Sequence, residues 1–115
     1  MQLVEQVRRY VSASNEHDLD RVERMFAGNA EYVSKRSGSH AGREAIRAMM
    51  DGLFADFPDV RWTAGYYRSA EPGGIAYDFI MTATSPRTGE TIERTGVERV
   101  FFDDGGKIRR VEVEA

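Results

Sequence analysis

The chain has no cysteine, only two histidines and three prolines among its 115 residues. Without cysteine there is neither a disulfide framework nor thiol chemistry. His17 and His40 lie too far apart to suggest a metal site by spacing, so no metal and no organic cofactor are expected. Apolar runs last only a few residues, which excludes a membrane-spanning helix. The N-terminus enters an amphipathic pattern directly, without a signal-peptide core, so the expected location is cytoplasmic. Arginines alternate with acids, as in Arg21-Val22-Glu23-Arg24, and the formal net charge is −3. Neither feature offers a basic surface to nucleic acid or to an anionic membrane. Apolar residues at 41% and 115 positions suffice for one core but not two, so residues 1–115 are read as a single domain.

The most informative stretch is Thr91 to Val113, two β-rich runs around Asp103-Asp104-Gly105-Gly106. Asp and Gly tolerate the positive φ that tight turns require, which predicts a hairpin. Side chains alternate along a strand, so Gly96, Glu98, Val100 and Phe102 share one face, and Val97, Arg99 and Phe101 the other. Glu98 is then a lone carboxyl on an otherwise apolar face. Such a group is rarely left without a partner or a purpose. If the facing is inverted, Glu98 instead joins a cross-strand ion pair with a neighbour such as Arg110.

Upstream, Leu3, Val4, Val7, Tyr10, Val11 and Ser14 recur at helical spacing and predict a helix over 2–15. Asp18 is placed to cap a short second helix that runs to Gly28. Glu31-Tyr32-Val33 reads as a strand, and Ser34 to Ala41 as a polar loop carrying His40. A third helix starts near Gly42-Arg43 and stops before Pro58. From Val60 the period becomes two, giving strands at 60–70 and 75–84 before the closing hairpin. The order α-α-β-α-β-β-β-β predicts an α+β fold: three helices on one concave, strongly curved, mostly antiparallel sheet, a cone-shaped barrel enclosing a pocket.

Three stretches carry a family resemblance: Arg9-Tyr10-Val11 with Asn15-Glu16-His17-Asp18-Leu19-Asp20 and Met25-Phe26-Ala27; Ala41 to Arg47; and Phe101 to Ile108. Through them the whole chain resembles the nuclear transport factor 2-like superfamily, in its SnoaL-like and ketosteroid isomerase-like branch. These motifs specify a fold and not a reaction, because the family includes isomerases, cyclases, hydrolases and non-catalytic binding domains. The resemblance implies that Tyr10 matches the tyrosine that hydrogen-bonds a substrate carbonyl in ketosteroid isomerase. Glu98 matches the carboxylic acid kept neutral beside it. The family's general base, an aspartate, falls here on Ser34, whose hydroxyl is far too weakly basic to take a proton from carbon unaided. The aspartate of limonene epoxide hydrolases and SnoaL-type cyclases falls near Val113.

Tyr10, Glu98 and His40 are thus the candidate catalytic residues, with His40 or water as the replacement base. Pocket walls are expected from Ser14, Phe26, Tyr32, Ser34, Phe54 and Phe57, and further along from Trp62, Tyr66, Phe79, Met81, Val100, Val111 and Val113. Asp78 should face away, and Arg43 and Arg47 should belong to a solvated face. The expected function is proton-transfer chemistry, of isomerase or polyketide-cyclase type, on a hydrophobic carbonyl compound. The alternative is a non-catalytic small-molecule-binding or dimerisation domain. Val97 and Phe101, on the outer face, predict a homodimer.

Overall fold

Helix α1, Leu3–Asn15, buries Val7, Tyr10, Ala13 and Ser14 along one face, as its apolar spacing predicts. It ends in a Schellman motif: His17 takes φ 55°, its N–H reaches Ser14 O, and the Asp18 N–H reaches Ala13 O. Asp18 then caps α2, Leu19–Met25, by accepting from the Arg21 N–H. The computed structural model describes residues 2–115.

α2 stops three residues short of Gly28. Phe26 already begins β1, Phe26–Ser34, which buries Phe26 and Ala30 against the helices. The polar stretch read as a loop holds a second strand, β2, Gly38–Ala41. It pairs antiparallel with β1 so that His40 sits opposite Tyr32. Four polar or small residues on a sheet edge carry no apolar alternation, and that hid the strand. Next come α3, Arg43–Asp56, then β3, Arg61–Ala70, β4, Gly74–Thr84, β5, Thr91–Phe102, and β6, Ile108–Glu114.

The six strands form one sheet in the order β2-β1-β6-β5-β4-β3. Pairing is antiparallel except between β1 and β6, which run parallel. The sheet is mixed and stays open at β2 and β3, so the expected barrel does not close. All three helices pack on it, α1 over β3 and β4, and α3 over β1 and β2. No helix among the described residues is long and apolar enough to cross a membrane.

One four-residue stretch joins the two layers. The Asn15 side chain donates to Trp62 O at 2.8 Å and accepts from Trp62 N at 2.7 Å, pairing with the β3 backbone as another strand would. Nε2 of His17 bonds Val60 O at 2.9 Å, and its ring stacks on Phe54 at 4.0 Å. Asn15-Glu16-His17-Asp18 thus ends one helix, starts the next and fixes the β3 edge.

Candidate functional site

Glu98 faces inward. Its side chain is 8% exposed, on the concave face of β5, and Tyr77 directly opposite on β4 donates its hydroxyl to Oε2. The alternative pairing with Arg110 does not occur, since Arg110 holds Glu31 at 3.3 Å and Glu112 at 2.8 Å on the outer face. No cation reaches Glu98, and burial alone lifts its pKa from 4.5 to about 8. The carboxyl is therefore mostly protonated at neutral pH.

Tyr10 from α1, Tyr32 from β1 and Tyr77 converge with Glu98 on a cavity of about 40 Å³. Burial, and then the negative charge that Glu98 can carry, push the Tyr10 and Tyr32 hydroxyls well above their ordinary pKa. Both remain neutral donors. Neither hydroxyl has a hydrogen-bond partner within the described residues, and Tyr10 does not bond Glu98 directly; that bond belongs to Tyr77. Met49, Met50, Leu53, Phe54 and Trp62 supply apolar walls. Ser14 also lines this chamber, its hydroxyl turned back to Tyr10 O at 2.9 Å.

A second chamber of about 180 Å³ shares Tyr32, Met49, Leu53, Trp62 and Glu98 with the first and opens outward. Phe79, Met81 and Val113 line it, as expected, with Arg36 and Arg94. Ser34 is there too, but its oxygen accepts from the Arg36 and Ser37 N–H groups, so it caps a turn. The inner chamber has room for about three waters or the oxygen-bearing end of a ligand.

Several expected wall residues are elsewhere. Phe26, Val100 and Val111 are at most 1% exposed and belong to the core beneath the pocket. Phe57 caps the C-terminus of α3 and lines neither chamber. Tyr66 is 76% exposed on the outside. A β-bulge between Gly65 and Arg68 interrupts the alternation, with Tyr66 at φ 56°, and it is Tyr67 that packs inward, 5.5 Å from the Tyr77 ring. His40 lies edge-on to Tyr32 at 6.3 Å with Nε2 at 3.1 Å from Ser37 O, outside the lining of both chambers. Asp78 faces away and pairs with Arg68, and Arg47 bridges Asp20 and Glu23.

Phe101, expected on an open outer patch, is 5% exposed within the single chain. Arg109 covers its ring at 5.3 Å, and Gly74 opposite leaves the space that the ring occupies. Among the described residues, Ile80, 43% exposed, and Tyr66 are the large apolar side chains most open to solvent.

Three helices packed on one face of an open mixed sheet, over a buried carboxyl ringed by tyrosines, make an α+β fold of the cone class. The chain matches the SnoaL-like domain family over residues 7–111 and belongs to it. No curated protein matches it. Among solved structures it is similar to SalBIII, an epoxide hydrolase/cyclase-like enzyme of pyran ring formation in polyether salinomycin (22% identity, 95% of this chain and 86% of that one, TM-score 0.83). It is also similar to Rv0760c from Mycobacterium tuberculosis in complex with estradiol-17β-hemisuccinate (18%, 98% and 92%, 0.85). A third is a protein with a ketosteroid isomerase-like fold from Catenulispora acidiphila in complex with trimethylamine (15%, 95% and 83%, 0.84). At these identities the likeness is one of fold.

Tyr77 is the site residue that sequence reasoning missed as Glu98's partner. The β4–β5 register runs without a shift from Thr84–Thr91 back to Tyr77–Glu98, so fixing the turn at Ser85 would have paired them.

Proposed function

We propose that the chain binds a hydrophobic carbonyl compound and moves a proton on it, with Glu98 as the single acid–base group. The observation that carries this is the inner chamber itself. Its lining holds one carboxyl and three tyrosines, and no histidine, lysine or second carboxyl. Ionised Glu98 takes a proton from the carbon next to the carbonyl. The C–H electron pair becomes a C=C bond, and the carbonyl π pair moves to oxygen. Tyr10 and Tyr32 donate to that oxygen, each such donor in a dry site being worth about 2.7–4 kcal/mol. Glu98 then returns the proton to another carbon of the same conjugated system, which completes an isomerisation.

The electrostatics favour this arrangement. The chamber carries one negative charge before the transfer, on Glu98, and one after it, on the enolate, so no new charge is desolvated. With a pKa of about 8, ionising Glu98 at pH 7 costs about 1.4 kcal/mol. A base poised near the working pH is what general catalysis requires. That SalBIII is cyclase-like and that Rv0760c holds a steroid ester fits an apolar, oxygen-bearing ligand.

The test is deuterium incorporation. 2-Tetralone in D2O with the wild-type protein should exchange its α-protons at least about 100-fold faster than with Glu98→Gln. Equal rates, with 2-naphthol still bound, would leave the non-catalytic binding domain as the function. The use of Ser34 as a turn cap favours that second reading. A homodimer through the outer sheet face would cover Ile80, Val97 and Tyr66. Sedimentation of a species twice 13.0 kDa supports it, and loss of that species in Ile80→Asp locates it.

A further inference from the structure

We propose that the ligand carries an anionic group, a carboxylate, at the end opposite its carbonyl, and that Arg94 receives it in the outer chamber with help from Arg36. This rests on the pocket reading above and adds the substrate's charge to it.

Arg94 lies on β5 four residues before Glu98, so both face the concave side. Its cross-strand partner on β4 is Met81, whose own partner on β3 is Trp62. All three side chains line the outer chamber. A half-buried arginine in such company normally has an acid beside it, because a desolvated guanidinium without a counter-charge is unfavourable. Arg94 has none. Five other arginines, Arg21, Arg47, Arg68, Arg99 and Arg110, take part in the ion pairs among the described residues. On the opposite face of the sheet Glu114 pairs with Arg99, and Glu31 and Glu112 pair with Arg110, while Glu98, the carboxyl that shares the outer chamber with Arg94, makes no ion pair among the described residues. Arg36, in the turn after β1, joins the same chamber and also has no acidic partner within ion-pair distance. Ala115, at the edge of this chamber, is exposed.

The spacing sets the ligand's size. Four residues of strand separate the Arg94 and Glu98 backbones by about 13 Å, and the long arginine side chain shortens that span. A fused two-ring body with an oxygen at one end and a carboxylate at the other fits this distance. The arrangement also keeps the ligand's negative charge at the Arg94 end of the outer chamber, four strand residues away from Glu98. A planar carboxylate matches the guanidinium fork bidentately.

The experiment compares two probes that differ by one carboxylate group, 2-naphthol and 6-hydroxy-2-naphthoic acid, by calorimetry at pH 7. The wild-type protein should bind the acid at least ten-fold more tightly than the naphthol. In Arg94→Gln that ratio should fall to about one, in Arg36→Gln it should fall by less, and added salt should lower it in the wild type. Equal wild-type affinities would overturn the anionic-ligand assignment and leave the pocket reading standing. A preference for the acid that survives in Arg94→Gln would overturn the role of Arg94. If neither probe binds, both readings fail together.

Discussion

Glu98 and Arg99 are neighbours in sequence and opposites in circumstance. Arg99 points to the convex face of the sheet and meets Glu114 at 2.8 Å. Around it Arg110 holds Glu31 and Glu112, and Arg68 holds Asp78. Each of these pairs is half-exposed, and each stabilises the fold by little, about 0.2–1 kcal/mol. On the concave face neither Glu98 nor Arg94 takes part in an ion pair among the described residues. Alternation along a strand sends consecutive residues to two different solvents. In water, charges pair locally and remain structural. Under the helices, a charge without a partner is available to a ligand.

The sharpest way to break this contrast is through pH. The folded chain holds the Glu98 proton up to about pH 8, whereas the unfolded chain releases it near 4.5. Below pH 4.5 both states are protonated and this group's contribution is intact. Between pH 4.5 and 8 only the unfolded state loses the proton, so stability falls as pH rises, by about 1.4 kcal/mol per unit, and then levels off. Glu98→Gln should abolish that slope and be the more stable protein at pH 8. Urea unfolding at pH 5, 6.5 and 8 measures it, and parallel profiles for the two proteins would mean that Glu98 ionises freely.

A smaller effect is expected at the tie between the layers. Asn15→Ala removes both hydrogen bonds to Trp62 and leaves part-buried backbone groups unpaired, which should destabilise by about 1–3 kcal/mol. Because Trp62 lines both chambers, its fluorescence should shift in the folded variant. An unshifted spectrum would show that Asn15 does not position the pocket wall.

Smaller again is Tyr77→Phe. Its hydroxyl donates to Glu98 and so favours the ionised carboxyl. Losing that bond should raise the Glu98 pKa further, an effect of about 0.5–1.5 kcal/mol. A ¹³C titration of Glu98 that moved downward would contradict the assignment. Smallest of all is Arg99→Ala, at most about 1 kcal/mol and reduced by salt. A loss of ketone exchange in that variant would erase the distinction between the two faces.

How much was legible depended on the range of the interaction involved. Helices α1 and α3 follow from their apolar spacing, and the hairpin from Asp103 to Gly106. That Glu98 shares a face with Val100 and Phe102 follows from parity, but with apolar residues on both faces only the fold decided which one turns inward. β2 was not legible, because Gly38-Ser39-His40-Ala41 has no hydrophobic rhythm and its strand state comes from pairing with β1. Tyr66 was misplaced because the bulge after Gly65 shifts the phase of every residue beyond it. Phe101 seemed open because alternation cannot show that Arg109 and Gly74 close over its ring.

The sequence by itself determined which residues are apolar at which period. With that came the helices, most strands, the two-layer α+β class and the isolation of one carboxyl on an apolar face. These are local properties, set by side chains a few positions apart. Only the tertiary structure decided that Tyr77 is Glu98's partner, that Tyr10 and Tyr32 aim at the same cavity, that His40 stays outside it and that Arg94 takes part in no ion pair among the described residues. Those facts depend on register between distant strands and on what burial removes from water. Desolvation is a property of the assembled cavity, and it is desolvation that lifts a common glutamate to a pKa of about 8.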